Sequence, residues 1–126
     1  MNPASDDGMP DDVLVVEDDP IIALDYEDTV LAFGVKRVRI AATVARALEL
    51  IDQRPPEFAL LDVGLIREKS FAVAERLDVL GIPYAFITGY GADGTLPAEF
   101  VVKPRLPKPC SSDALLAMLK SRGNTR

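Results

Sequence analysis

Residues 13–20 read VLVVEDDP, an apolar run that ends abruptly in three acids and a proline. Four consecutive apolar residues rich in β-branched side chains are typical of a strand buried on both faces, as in a parallel sheet. Asp19 followed by Pro20 favours the start of a helix, because aspartate caps free N–H groups and proline suits the first turn. The stretch therefore predicts a strand, a short acidic turn and a helix.

The same alternation of strand and helix recurs along the chain. Strand-like apolar runs begin near residues 13, 36, 57 and 84, and a fifth is expected near residue 104. The starts lie about 20–27 residues apart, the length of a βα unit, and strict alternation predicts a parallel sheet covered by helices. We expect an α/β fold, a flavodoxin-like (βα)5 doubly wound parallel sheet with strand order 2-1-3-4-5. Segment 89–100 is rich in glycine and proline, so the fourth helix should be weak or mobile.

Capping residues mark the ends of the predicted helices. Each of the later predicted helices, which show apolar residues at helical spacing, is preceded by a residue that can cap its start. These residues are Thr43, Ser70, and either Ser111 or Ser112. Gly34 and Gly81 follow the first and third predicted helices, at positions where glycine commonly ends a helix. Prolines within segment 104–107 suit an edge strand, because proline cannot donate a backbone hydrogen bond within a sheet.

Length and composition predict one folded domain. The chain has 126 residues, of which 48% are hydrophobic and 27% charged, close to the average of globular proteins. The net charge is −6, and four acids lie in the first twelve residues. We expect a disordered acidic segment at 1–11, a domain at 12–121 and a short polar tail at 122–126. The domain itself has nearly balanced charge, which gives no argument for binding nucleic acid.

Three absences narrow the class of protein further. The chain contains no histidine, which excludes histidine-based catalytic triads and most zinc sites. A single cysteine, Cys110, cannot form an internal disulfide. No apolar run approaches the ~20 residues of a membrane span, and the first residues do not resemble a signal peptide. We expect a cytoplasmic protein that does not bind a membrane.

Polar side chains follow four of the predicted strands. Acids at 17–19 follow the first strand, Asp62 follows the third, Thr88 ends the fourth and Lys108 follows the fifth. Ligands of an open parallel sheet bind at the carboxyl ends of its strands, so these groups should meet at one edge. Clustered carboxylates repel one another unless a cation lies between them; Mg²⁺ is the expected cation, with Mn²⁺ as an alternative. A carboxylate beside Mg²⁺ and lysine is a workable nucleophile toward phosphorus.

The turn after the first strand argues against nucleotide cofactors. A dinucleotide site or a P-loop needs glycines there, so that backbone N–H groups can approach phosphate. Three acids in that turn would repel a bare phosphate. Neither FMN nor NAD is therefore expected.

Taken in register, these motifs resemble the receiver domain of two-component response regulators. The residues that carry the resemblance are 15–20 (VVEDDP), 60–63 (LLDV), 88–89 (TG) and 106–109 (LPKP). Residues 86–91 (FITGYG), with 68–71 (EKSF) upstream, further resemble the FATGUY subgroup, which implies a stand-alone receiver. The resemblance covers residues 12–121, nearly the whole chain.

The resemblance implies a phosphoacceptor and a magnesium site. Asp62 would accept the phosphoryl group. Mg²⁺ would be held directly by Asp18, by Asp62 and by the backbone carbonyl of Gly64, and through water by Glu17. Gly64 also occupies a position that tunes dephosphorylation in this family.

The resemblance implies further roles around the phosphoryl group. Thr88 and Lys108 would bind its oxygens, and Gly89 would leave room for it. Tyr90 occupies another position that tunes dephosphorylation. Arg105 stands where many receivers carry an aromatic switch residue, so the usual aromatic readout is not expected.

The expected function is that of a single-domain response regulator. It would accept a phosphoryl group on Asp62 from a sensor histidine kinase or a phosphotransfer protein, without being a turnover enzyme. It would then signal to an unknown downstream protein, as a monomer or weak dimer. Two alternatives stay open. One is a Mg²⁺-dependent phosphohydrolase with an aspartyl-phosphate intermediate, and the other is a pseudo-receiver that binds partners without phosphorylation.

Overall fold

The computed structural model describes residues 9–65, 69–89, 100, 103–108 and 110–121. Its strands are β1 (Asp12–Val16), β2 (Arg37–Ala41), β3 (Phe58–Asp62), β4 (Tyr84–Thr88) and β5 (Arg105–Pro107). Its helices are α1 (Pro20–Ala32), α2 (Val44–Gln53), α3 (Phe71–Leu80) and α4 (Ser112–Ser121). The predicted weak helix between Gly89 and Phe100 and the predicted tail 122–126 lie outside the described residues.

All five strands are parallel and form one sheet in the order β2-β1-β3-β4-β5. The flavodoxin-like order predicted from the sequence is confirmed. Every residue of β1, β3 and β4 is buried, which explains why these strands are almost continuous apolar runs. β5 has three residues and lies at the edge, where its proline is tolerated.

Two apolar layers cover the two faces of the sheet. Successive residues of β1 point to opposite faces, so Leu14 and Val16 belong to one layer while Val13 and Val15 belong to the other. The first layer includes side chains of α2 and α3, and the second includes side chains of α1 and α4. Among the described helices, none combines the length and the apolar character that crossing a membrane requires.

Three of the four described helices begin with the side-chain cap that the sequence predicts. Asp19 Oδ1 accepts from Ile21 N at 2.9 Å, Thr43 Oγ1 accepts from Arg46 N at 3.1 Å, and Ser111 Oγ accepts from Ala114 N at 3.1 Å. Ser111 is therefore the cap of α4, not Ser112.

The prediction that the Ser70 side chain caps α3 is wrong. Ser70 is the residue before the helix, but its side chain makes no capping hydrogen bond. Its ψ angle is 14°, whereas the caps Asp19 and Thr43 have the extended ψ values of 114° and 162°. An extended backbone is what normally directs a capping side chain at the first N–H groups of the helix.

The left-handed glycine at the end of α3 leads to a prediction about stability. Gly81 has a φ of +74°, and a Cβ added there would contact nothing within 4 Å. Gly81→Ala should therefore lower the free energy of unfolding by about 1 kcal/mol through backbone strain alone. Urea unfolding measures this, with Gly64→Ala as the control, since that position is equally open and does not have a positive φ. Equal stability of the two variants would contradict the prediction.

The first described residues pack against the rest of the fold. Met9 falls within the acidic segment 1–11 that we expected to be disordered, yet it is 3% exposed and packs in the layer of α1 and α4. Asp12 is the first residue of β1, and it is buried among three guanidinium groups. Its carboxylate lies 3.1 Å from Arg39 Nε, 3.3 Å from Arg54 Nε and 3.7 Å from an Arg37 nitrogen.

Candidate functional site

The carboxyl ends of four strands bring the predicted site residues to one edge of the sheet. Asp62 is the last residue of β3 and Thr88 the last of β4, while Glu17 and Lys108 directly follow β1 and β5. Backbone hydrogen bonds hold these ends: Glu17 N donates to Ala41 O at 3.0 Å, and Lys108 N donates to Thr88 O at 2.8 Å. The sheet therefore fixes the backbone from which each polar side chain starts.

Asp62 lies at the centre of this edge. It is 3% exposed, although it is a carboxylate. Its Oδ2 accepts a hydrogen bond from Lys108 Nζ at 3.0 Å, and its Oδ1 accepts from Gly64 N at 3.1 Å. Both oxygens are thus oriented, one by an ammonium group and one by the backbone that follows β3.

The ammonium group of Lys108 lies between two carboxylates. Its Nζ is 3.0 Å from Asp62 Oδ2 and 3.6 Å from Glu17 Oε1. Burial alone would lower the pKa of Lys108, but the hydrogen bond and charge of Asp62, together with Glu17, outweigh burial and raise it. Lys108 therefore stays positively charged at neutral pH.

Glu17 is the most deeply buried acid of the site, with 2% of its surface exposed. Its Oε2 accepts from Asp19 N at 3.1 Å, while its Oε1 has no hydrogen-bond partner within the part of the chain that the structure describes. Burial raises the pKa of Glu17 to about 7; the charge of Asp62 adds to the effect, whereas the Asp19 N–H and Lys108 oppose it. The carboxylate form of Glu17 is thus costly when nothing else compensates its charge.

Three carboxylates of the site are arranged as a set that could hold a metal ion. Glu17, Asp18 and Asp62 each offer one oxygen, and these oxygens lie within 4.8 Å of one another. Carboxylates this close together repel one another when they are ionised, and a cation between them offsets that repulsion. A divalent cation that prefers oxygen ligands, such as Mg²⁺, fits this donor set.

The remaining predicted residues surround this core of the site. Thr88 is 6% exposed and packs at the end of β4. A Cβ added at Gly64 or at Gly89 would meet nothing within 4 Å, so the space beside both residues is open. Tyr90, for which a tuning role was expected, lies outside the described residues.

A groove beside Lys108 was not predicted from the sequence. It has a volume of about 370 Å³ and is lined by Ile22, Asp25, Tyr26, Lys108 and Cys110. The Tyr26 hydroxyl lies 3.9 Å from Cys110 Sγ, and burial raises the pKa of both groups. Ile22, Tyr26 and Val30 recur at helical spacing, which is typical of an inward face, and Tyr26 is buried. Spacing alone does not show that its hydroxyl end reaches the loop after β5.

The outer face of α1 carries exposed apolar side chains next to this edge. Ile21, Leu24 and Leu31 are 79%, 55% and 40% exposed, and their spacing of three and seven residues places them on one side of the helix. We call this set the α1 stripe. It begins two residues after the cap Asp19, so it starts at the same edge of the sheet as the acids.

This chain is similar to several known proteins, of which SdrG and two PhyR proteins are examples. SdrG from Sphingomonas melonis Fr1 is 36% identical, with a TM-score of 0.77 over 90% of this chain and 96% of SdrG; the similarity extends to a BeF3-activated conformation of SdrG, with a TM-score of 0.73. The response regulator REC domain of PhyR from Erythrobacter litoralis is 26% identical, with a TM-score of 0.74 over 91% of both chains. Phyllosphere-induced regulator PhyR from Methylorubrum extorquens is 30% identical in an alignment that is 107 residues long and covers 79% of this chain.

This chain spans 40% of the length of the Methylorubrum extorquens protein. No model of a known protein family matches the sequence.

Proposed function

This chain belongs to the response regulator receiver domains, and from that premise we propose that Asp62 accepts a phosphoryl group from a sensor histidine kinase or a phosphotransfer protein. The reaction depends on Mg²⁺. The phosphorylated domain then signals through altered contacts with a downstream protein. It phosphorylates and dephosphorylates itself and does not turn over a small-molecule substrate.

The surroundings of Asp62 are the observation that carries this proposal. Its carboxylate is buried at the carboxyl edge of a parallel sheet, 3.0 Å from the Lys108 ammonium and within 4.8 Å of the oxygens of two further acids. An ordinary buried ion pair needs one acid for one base. Here the oxygens of three acids converge, which suits a divalent cation, and the oriented Asp62 carboxylate is placed to act as a nucleophile toward phosphorus.

The donor set fits Mg²⁺. We propose that Asp18, Asp62 and the carbonyl of Gly64 hold the ion directly and that Glu17 acts through a water molecule. Glu17 Oε1, buried and without a hydrogen-bond partner in the described part of the chain, is a group that such a water would satisfy. The ion, when bound, supplies positive charge that offsets the charge on the transferring phosphoryl oxygens.

Phosphoryl transfer to Asp62 forms one bond and breaks one. A carboxylate oxygen attacks the phosphorus of a phosphohistidine, the P–N bond breaks, and its electron pair returns to the imidazole nitrogen. Lys108 stays protonated and donates to a phosphoryl oxygen, as an oriented cation does in other phosphoryl-transfer sites. Thr88 binds another phosphoryl oxygen, and the open space beside Gly89 admits the group.

Protein docking beside the site has a physical basis in the α1 stripe and the groove. The α1 stripe begins with Ile21 at the edge where Asp62 lies, and the groove next to Lys108 is lined by Ile22, Asp25 and Tyr26 of the same helix. Large apolar side chains that stay exposed together often mark a surface for another protein. We propose that the phosphodonor protein binds there, which brings its phosphohistidine over Asp62.

Asp62→Asn tests the proposed function. Wild-type protein incubated with Mg²⁺ and acetyl phosphate should gain a labile adduct of about 80 Da, one phosphoryl group, and the variant should not. Intact-mass analysis or a Phos-tag gel measures it. Asp52→Asn is the matched control, because Asp52 lies in α2 and is an exposed acid paired with Arg76.

Each outcome of this experiment points to one function. An adduct that persists in Asp62→Asn would sink the assignment of the phosphoacceptor. Steady release of phosphate from many equivalents of a phosphate monoester would favour the phosphohydrolase. No adduct from acetyl phosphate or from phosphorylated kinase, together with no Mg²⁺ binding, would favour the pseudo-receiver.

A further inference from the structure

Ser70 is anomalous among the residues that begin the described helices. It is fully buried, and its hydroxyl has no hydrogen-bond partner among the residues that the structure covers. Its counterparts Asp19, Thr43 and Ser111 all use their side chains to cap a helix. A buried hydroxyl without a hydrogen-bond partner raises the free energy of the folded state. A conformation in which this hydroxyl caps α3 would remove that free-energy cost.

The missing cap has a simple geometric cause. Ser70 has a ψ of 14°, and its carbonyl already accepts from Val73 N at 3.1 Å. A rotation of its backbone toward the extended ψ values of Asp19 and Thr43 would direct its hydroxyl at the amide of Ala72. That rotation would also turn the chain that enters the helix. The capped and uncapped states of α3 therefore differ in the direction of the residues just before Ser70.

Those preceding residues are connected to the phosphoacceptor. Lys69, the neighbour of Ser70, forms an antiparallel β-bridge with Gly64. The amide of Gly64 in turn donates to Asp62 Oδ1 at 3.1 Å. Two contacts thus connect the Asp62 carboxylate to the residue before Ser70: the Gly64 amide and the Gly64–Lys69 bridge.

The first residue of α3 is also connected to the strand that bears Thr88. The Phe71 ring contacts Phe86 of β4 edge-on, with 6.1 Å between ring centroids, and stacks on Phe100 with 5.5 Å between centroids. A rotation at Ser70 would shift the Phe71 ring against these neighbours. The start of α3 therefore contacts both the chain that follows β3, through Lys69 and Gly64, and strand β4, through Phe71 and Phe86.

We propose that Ser70 is a positioning residue of the switch: phosphorylation of Asp62 releases the Gly64 amide, the Gly64–Lys69 bridge shifts, and the Ser70 hydroxyl then caps α3. This inference rests on the proposed function, because it requires an activated state at Asp62. In the resting state the hydroxyl is buried and unpaired; in the activated state it is paired. The capping hydrogen bond thus favours the activated state.

Ser70→Ala tests the proposal, with Thr43→Ala as the matched control at a cap that is already formed. In metal-free protein, Ser70→Ala should raise the urea midpoint of unfolding, whereas Thr43→Ala should lower it. The two variants and the wild type are then titrated with beryllofluoride in the presence of Mg²⁺, and amide NMR shifts are followed. Ser70→Ala should need an about three- to tenfold higher beryllofluoride concentration than wild type for half of the shift change. Thr43→Ala should need the same concentration as wild type.

A second measurement does not depend on how the variants fold. Amide hydrogen exchange at Ala72 of the wild-type protein should slow by about tenfold when Mg²⁺ and beryllofluoride are added, since a capped first turn opens less often. Unchanged exchange there, or an unchanged beryllofluoride requirement in Ser70→Ala, would overturn the proposal while the proposed function stands. A wild-type protein that does not respond to beryllofluoride at all would overturn both.

Discussion

Asp12→Ala is expected to lower the free energy of unfolding by about 2–4 kcal/mol. The carboxylate of Asp12 is buried and faces the guanidinium groups of Arg37, Arg39 and Arg54. Removing it leaves Arg39, whose side chain is 16% exposed, without its counter-charge. The expected loss stays below that for a fully buried pair, because Arg39 keeps hydrogen bonds to the carbonyls of Leu50 and Arg54.

Urea unfolding at neutral pH measures this loss. Glu49→Gln is the matched control, since it removes an acid from an exposed ion pair with Arg46 and should change stability by less than about 0.5 kcal/mol. Arg39 also connects β2 to the end of α2. The lower stability of Asp12→Ala should therefore be accompanied by faster amide exchange at the start of β2. A variant as stable as the control would show that the cluster contributes nothing beyond surface charge.

Glu17→Gln is expected to act in the opposite direction and stabilise the metal-free protein. Burial raises the pKa of Glu17 from 4.5 to about 7, which corresponds to about 3 kcal/mol of cost for its ionised form in the folded state. Gln cannot ionise and keeps a similar shape. At pH 8 without metal, the variant should therefore unfold with a free energy about 2–3 kcal/mol above that of the wild type.

The sign of the pH dependence follows from the raised pKa. Below about pH 4.5 Glu17 is protonated in both the folded and the unfolded chain, so the two proteins should be equally stable. Between 4.5 and about 7 the folded state binds more protons than the unfolded state, and wild-type stability falls as pH rises. The difference in the free energy of unfolding between variant and wild type should grow over this pH range and stay constant above it.

Added Mg²⁺ distinguishes this explanation from a general effect of charge. A ligand that binds only the folded state raises its stability. Millimolar Mg²⁺ should thus stabilise the wild type at pH 8 and stabilise Glu17→Gln much less. Glu49→Gln, with an exposed side chain, should follow the wild type throughout. If Glu17→Gln differs from the wild type in stability by the same amount at pH 4.5 and pH 8, ionisation of Glu17 does not cause the difference.

Much of the fold follows from local patterns in the sequence. Buried strands such as β1 and β3 are continuous apolar runs, and Asp19 followed by Pro20 begins α1 where expected. The meeting of Asp62 and Lys108 also follows, because parallel strands end at a common edge. These features depend on residues close in the chain or on one rule of topology.

Other features depend on contacts that no local pattern records. Asp12 reads as part of an acidic segment, but its partners Arg37, Arg39 and Arg54 come from distant parts of the chain. Ser70 precedes a helix as a cap should, yet its backbone is not extended and its side chain makes no capping hydrogen bond. In both cases residue type indicates what a side chain can do, and tertiary packing decides whether it does so.

The burial of Met9 has a practical consequence for shortened versions of the protein. Its side chain packs against the same apolar layer as Val13 and Val15, three residues before β1 begins. Proteases cut where the chain can open locally, so the fragment that resists digestion should start upstream of Met9 and not at Asp12. A gene trimmed to begin at Asp12 would remove part of the core, and fusion partners at the N-terminus belong before Met9.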